Sequence, residues 1–240
     1  MKRRRRAAPS RAPVRAKTRR GSARVATPSP AKLSIAQQAY EAIKLRIISL
    51  EYRPGACLAE SRIAEDLGLG RMPVHEAITR LALEDMLEVL PRKGVIVPPI
   101  SLDEALANIE ARLINEPAIT RLAVERATAD EVDHITAMLH DVPAMIGRRD
   151  IKGLMVLDRQ FHASIARCAR NPFFEWILRR LHERSLRFWF VSLSDPKHMA
   201  QVHDEHLAIV DACRSRDGAA AERAVRAHLE SFRDTIKRSI

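Results

Sequence analysis

From Ile35 onward the apolar positions recur at helical intervals. Ile35, Ala39, Ala42, Ile43, Arg46 and Ile47 fall near one stripe of a helix that "RPG" at 53–55 brings to an end. The run "LAESRIAEDLGLGRMPVHEAITRLALEDMLEVL" then holds two short amphipathic helices separated by "GLG", with Ile63, Ala64, Leu67, Val74, Ala77, Ile78 and Leu81 facing inward. That is helix-turn-helix spacing, in which the second helix enters the major groove of DNA. Pro73 suits the first turn of that helix, where an N–H is not needed, and Arg71 and His75 project from its exposed start. In "LEVLPRKGVIVPP" two β-branched runs flank a Pro-Arg-Lys-Gly turn, a pattern that predicts a two-stranded wing with Lys93 in reach of phosphate.

Beyond Pro99 the strand pattern gives way to helices. Ser101 is placed as an N-cap with Glu104 three positions on, a capping-box arrangement, and Pro117 is expected to interrupt and kink the helix that follows. Further helical segments span about 129–147, 150–170, 172–193, 197–215 and 218–238, separated by "GRRD", "RNP", "SDP" and "SRDG". The expected fold class is therefore mainly α. An N-terminal winged helix-turn-helix precedes an all-α antiparallel bundle of six (or seven) helices, whose interior is a natural place for a ligand or a metal.

Candidate chemistry lies inside that bundle. In "DRQFH", Asp158 and His162 stand one turn apart on one helix face; His206 lies in "HDEHLAIV" and His228 in "RAHLE", two other helices. One oxygen and three imidazoles from three helices suit a divalent cation with positions left open. Spacing alone leaves rivals standing. An acid and a histidine at i,i+4 also make an ordinary surface pair, a histidine beside Leu229 also packs, and His203 competes with His206.

Composition and charge sharpen this outline. Hydrophobic residues make up 46% of the chain against 8 glycines and 4% aromatics, a balance that favours helices over sheets. The formal net charge is +11, but 12 of the 41 basic residues fall within residues 1–32, where no acid occurs, which leaves 29 against 30 acids elsewhere. This basic tail, with its prolines and small residues, is expected to be disordered. It reads either as a phosphate-seeking arm or as a solvated extension, including one from a misassigned start. No apolar core follows the charged start and no run approaches a membrane span, so a cytoplasmic location is expected. Cys57, Cys168 and Cys213 are scattered and form no C-x-x-C, consistent with reduced thiols.

The run "RPGACLAESRIAEDLGLGRMPVHEAITRLALEDMLEVLPRKGVIV" resembles the winged helix-turn-helix of the GntR family of bacterial transcription regulators. The resemblance implies that residues 33–100 bind operator DNA, with Arg71 and Gly94 at positions that contact DNA in relatives. Relatives usually carry Ser-Arg-Thr-Pro-Val-Arg-Glu-Ala where this chain has "GRMPVHEA". Gly70 and Met72 thus replace hydroxyls and His75 an arginine, which alters base readout, since arginine is the common bidentate partner of guanine. His75 is then a base contact, a phosphate contact or a solvated residue.

Within residues 101–240, "NIEARLINEPAITRLAVERA", "LDRQFHASIARCARNP" and "HDEHLAIVDACRSRDGAAAERAVRAHLE" resemble the FCD effector domain of the FadR-type subfamily. That resemblance implies a metal held by Asp158, His162, His206 and His228, with zinc first and nickel or manganese also admitted. It implies a small organic acid as effector, with Arg112 facing the cavity, although Glu116 at i,i+4 offers Arg112 an ordinary salt bridge. It also implies a homodimer on a palindromic operator, more often a repressor than an activator. A regulator in which the ion itself is the signal uses the same ligands. Catalysis is not expected, because H-E-x-x-H, G-x-S-x-G and a phosphate-binding glycine loop are all missing from the chain.

Overall fold

A computed structural model describes residues 33–192 and 196–239; the basic tail of residues 1–32 lies outside the described residues. Helix α1 (Ile35–Ile48) is capped by Ser34, whose hydroxyl accepts from the Gln37 N–H at 3.1 Å. Its buried face is Ala39, Tyr40, Ile43, Lys44, Ile47 and Ile48. Ile35, expected inside, is exposed, and Lys44 takes the inner place expected of apolar residues. The stripe is turned because α1 is covered on two sides, by the helix that follows the glycine turn and by a helix of the second half.

Helix α2 (Glu60–Leu67) ends at Gly68, which takes the left-handed conformation that glycine adopts without penalty, and α3 (Arg71–Leu83) begins directly after Gly70. Val74, Ala77, Ile78 and Leu81 of α3 pack with Ile63 and Ala64 of α2 in the core, while Leu67 is only half-buried. The wing has three strands where two were expected. Cys57–Leu58 (β1) pairs with Gly94–Ile96 (β3), which also pairs with Glu88–Leu90 (β2), all antiparallel in the order β1-β3-β2. The first of these is too short to show as a period-two pattern.

The second half carries seven helices among the described residues. Helix α4 (Leu102–Arg126) begins at Ser101, which accepts from the Glu104 N–H at 3.4 Å; the Glu104 carboxylate faces Arg184 at 3.5 Å. Pro117 does not end α4: it is buried in the middle of a helix that runs unbroken for 25 residues. The single helix expected over 129–147 is two, α5 (Ala129–Met138) and α6 (Val142–Arg148), because Pro143 begins a helix more readily than it continues one. Then come α7 (Ile151–Cys168), α8 (Pro172–Ser192), α9 (Pro196–Arg214) and α10 (Gly218–Ser239). Helix α10 lies along α4 and α9, and α7 lies against α8 and α4, so side chains from α4, α7, α8, α9 and α10 converge on one interior. Among the described residues no helix is long and apolar enough to cross a membrane.

The two halves meet through charge. Lys44 of α1 is almost wholly buried, with its ammonium 2.7 Å from Glu183 of α8 and 3.0 Å from Glu84 at the end of α3, and it donates to the Tyr40 hydroxyl. Arg159 of α7 bridges Glu41 of α1 (2.8 Å) and Glu183 (2.9 Å). Beside them, Arg187 of α8 donates to the Pro98 carbonyl in the connection to α4.

Candidate functional site

Asp158 and His162 leave α7 on the same face, and both are buried. Asp158 Oδ1 lies 3.8 Å from His162 Nε2 and 3.5 Å from Nε2 of His206, which α9 contributes. Helix α10 supplies His228, whose ring centroid is 4.9 Å from that of His206 and 5.5 Å from that of His162. One ligand atom from each of His162, His206 and His228 falls within 4.8 Å of the others. Asp158 falls in a second, overlapping group with His162 and with His182 of α8, so the anticipated donors form two sets that share His162. His206 belongs to the first of these groups of described residues and His203 does not, although His203 lines an adjoining pocket together with His206 and Asp158 and has a buried Nδ1 without a hydrogen-bond partner.

The hydrogen bonds around the histidines specify which nitrogen faces inward. Glu116 of α4 takes His162 Nδ1 at 2.9 Å, and Glu205 of α9 takes His228 Nδ1 at 2.8 Å. Each carboxylate can only accept, so each ring carries its proton on Nδ1 and turns a bare Nε2 lone pair away from its partner. The Nε2 atoms of His162 and His206 are buried without any hydrogen-bond partner. A buried nitrogen left this way carries a desolvation penalty of about 1–3 kcal/mol that a Lewis acid would remove. Phe161 stacks on His206 at 4.5 Å and 29°, which fixes the ring plane.

The local electrostatics keep these groups in ligating form. Burial, reinforced by the neighbouring His228, holds His206 well below the ordinary imidazole value, so it is neutral at pH 7. Burial opposes ionisation of Asp158 and Glu116. It is outweighed at Asp158 by the His182 hydrogen bond and the nearby imidazoles, and at Glu116 by Arg112 and His162, so both stay below their ordinary values as carboxylates.

Two groups in this interior were not anticipated as part of it. His182 of α8 places Nε2 3.0 Å from Asp158 Oδ2 and is pushed down to about 4 by burial and by His162. Glu205 holds His228, as described. His182 sits between Leu178 and Leu186 at i±4, a pattern that reads as a packed histidine, and Glu205 adjoins His206 but serves a ring 23 residues away. Arg112 does line the chamber, yet its guanidinium is engaged with Glu116 at 2.8 and 3.3 Å, the salt bridge its spacing allowed. The free volume among Arg112, Asp158, His162, His182, Ser185 and His228 is about 20 Å³, enough for one water.

On the other half, Arg71, Met72 and His75 are all exposed on the first turns of α3, with Gly70 as its N-cap. Met72 is 77% exposed. His75 Nδ1 sits 3.1 Å from Glu60 of α2. Lys93 is exposed at the tip of the wing, and Gly94 has φ +111° with the Leu58 carbonyl so near that a Cβ would stand 2.3 Å from its oxygen. A backbone requirement accounts for Gly94 without any contact to DNA.

Residues 35–97 match the family described as "Bacterial regulatory proteins, gntR family", and residues 108–231, just over half of the chain, match the FCD domain. The chain belongs to the GntR family of regulators that carry an FCD domain. It is 25% identical over 201 residues to the HTH-type transcriptional repressor RspR of Escherichia coli K12, covering 84% of this chain and 88% of that one. With the galactonate operon transcriptional repressor of the same organism it shares 27% identity over 219 residues, 80% of this chain and 92% of the relative. The solved structure of E. coli McbR/YncC has the same fold, with a TM-score of 0.74 at 20% identity, covering 86% of this chain and 99% of that one. This GntR-family protein is thus a DNA-binding transcription regulator and not an enzyme.

Proposed function

We propose that the chain is a homodimeric repressor whose helical domain, residues 101–240, holds a divalent metal ion, with zinc the first choice, through Asp158, His162, His206 and His228. A small organic acid is its effector, and residues 33–100 read a palindromic operator through Arg71, Met72, His75 and Lys93 on two symmetry-related copies of α3 and the wing. The observation that carries the metal is the pair of buried, unpartnered Nε2 atoms of His162 and His206, beside rings whose other nitrogens are fixed by Glu116 and Glu205. The names of both E. coli relatives support repression, and the galactonate operon in one name concerns a carboxylate.

The chamber supports a mechanism in which ligand entry moves helices. The free volume beside Arg112 is about 20 Å³, and an adjoining cavity lined by Glu116, Arg159, His162 and His182 holds about 100 Å³, so an organic acid that reaches Arg112 does so with a shift of α8, α9 or α10. An acid reaching Arg112 must share it with Glu116, which in turn holds His162, so effector and ion are linked through one carboxylate. Displacement of α7 or α8 reaches α1 through Arg159, Glu183 and Lys44, and reaches the connection at Pro98 through Arg187. By linkage the operator must then alter effector affinity by the same factor.

In a second reading, which uses the same ligands, the ion alone is the signal. Elemental analysis of the purified protein beside Asp158→Ala/His206→Ala tests the site. Near-stoichiometric metal in the wild type, lost in the variant, is the expected result, and a wild type free of metal after exposure to zinc, nickel and manganese would refute it. Operator affinity measured against graded free metal, with and without carboxylic acids, then separates the two readings.

A further inference from the structure

Asp158 is the one anionic ligand in the proposed set, and its two oxygens have different surroundings. Oδ1 faces the inward nitrogens of His162 and His206, at 3.8 and 3.5 Å. Oδ2 faces His182 Nε2 at 3.0 Å. Against an ionised carboxylate that nitrogen can only donate, so in this arrangement His182 has no lone pair on Nε2 to offer an ion. Its position differs in kind from that of His162 and His206, whose Nε2 atoms are buried and unpartnered. Three contacts from outside the ligand set repeat one device. Glu116 orients His162, Glu205 orients His228, and a histidine on the fourth helix wall orients the aspartate.

We propose that His182 is a positioning residue that withholds Oδ2 and keeps Asp158 a one-oxygen ligand through Oδ1. The inference rests on the metal reading above and deepens it, since it states how many positions the protein leaves for the effector. A carboxylate closing on an ion through both oxygens fills one more position than it does through one. With Oδ2 held back, three imidazoles and one oxygen would fill four positions of a six-coordinate ion and leave two, which is what a chelating acid needs. His182 thereby selects for effectors that bind through two oxygens. Its ring also lies 4.5 Å from that of His162, so the holder of the aspartate is packed against a ligand and cannot turn away freely.

The test uses the full-length protein loaded with cobalt(II) in place of the native ion. Ring N–H signals shifted by the paramagnetic ion count the bound imidazoles, visible absorption reports coordination number, and competition with a chelator gives affinity. The expected wild-type count is three imidazoles. His182→Gln, which keeps a donor near the Nε2 position, is expected to preserve the count and the spectrum and to hold affinity within a few-fold. His182→Ala is expected to weaken affinity by about 10–100-fold, as loss of an outer-shell partner does. It should also change the visible spectrum toward higher coordination as Oδ2 closes on the ion. Four bound imidazoles in the wild type with one lost in His182→Gln would overturn the proposal by making His182 a ligand. An Ala variant with wild-type affinity and spectrum would overturn it by making His182 a bystander. A wild type that takes up no cobalt would overturn the metal reading itself, and this inference with it. If the Ala variant does not fold, the wild-type count and the Gln variant still decide.

Discussion

Lys44→Met tests whether the charge cluster between the two halves is a structural bond or a decoration. The ammonium is 1% exposed and lies between Glu183, itself 6% exposed, and Glu84, 19% exposed; it also stands 4.3 Å over the Tyr40 ring. Methionine fills the aliphatic part of the site and removes only the charge. Leaving a buried carboxylate without its cation costs roughly 3–5 kcal/mol. Here Glu183 keeps Arg159 at 2.9 Å and Glu84 keeps Arg80 at 3.5 Å, which places the expectation at the lower end, about 3 kcal/mol. For a chain of this size that is a fall in Tm of roughly 6–12 °C, with a matching fall in the urea midpoint. The double variant Lys44→Met/Glu183→Met is expected to recover most of the loss, because replacing both members of a buried pair with apolar groups is often neutral. A single variant that loses less than about 1 kcal/mol, the range of exposed pairs, would refute the reasoning.

Stability should also depend on pH through the same cluster. Glu41 and Glu84 both sit below their ordinary value of 4.5: burial opposes this in each, but is outweighed by Arg159 at Glu41 and by Tyr40 and Lys44 at Glu84. Depressed carboxyls stabilise fully above 4.5 and lose that contribution as pH falls below it, while His182, held neutral by burial, already costs stability below its ordinary value of 6.5, so Tm should begin to decline below about 6.5 and fall more steeply below about 4.5; a flat Tm to about pH 3 would contradict the assignment. Gly94→Ala must place a Cβ 2.3 Å from the Leu58 oxygen at φ +111°, which should destabilise the wing by about 1–3 kcal/mol and shorten amide protection at Val95; unchanged exchange there would count against the close approach. Arg71→Ala should weaken operator binding by about 1–3 kcal/mol and relax preference at one base-pair position. A loss uniform across sequences, with a salt slope smaller by about 1, would make Arg71 a phosphate contact instead.

The elements that carry strong periodic patterns were legible in the sequence. Helices α2 and α3 follow from Ile63, Val74 and Ile78 with a glycine turn between them, and α7 to α10 from their breakers. The misses have local causes. β1 is two residues long, α5 and α6 are divided by a proline that starts a helix, and Pro117 is carried by a helix whose other turns are held by packing on α10 and α8. Lys44 was unreadable because its partners lie 40 and 139 residues away in sequence, and a lysine in a helix is ordinarily a solvated one. In the chamber, the proposed set Asp158, His162, His206 and His228 came from the family resemblance, since spacing alone left rivals standing. The groups that orient it were not legible, because Glu205 serves a ring on another helix and His182 reads as packing until its distance to Oδ2 is known.

Under the proposed function, the arrangement of α7 and α8 gives the chamber a short route to the DNA reader. Asp158 and Arg159 are consecutive, as are His182 and Glu183, and consecutive helical residues point about 100° apart. One turn of α7 and one turn of α8 therefore each present one side chain to the chamber and the next to α1. Helix α1 in turn meets the far end of α3 through Lys44 and Glu84, while Arg80 of α3 lies 3.7 Å over the Tyr40 ring. A rotation of either helix that enlarged the chamber would change both sets of contacts together, since the backbone between neighbouring residues does not stretch. The coupling that regulators need is of order 1–3 kcal/mol, no more than one or two of these buried contacts supply. Packing brings chamber and clamp within a single peptide bond of each other, so no long chain of intermediaries is required between ligand and recognition helix.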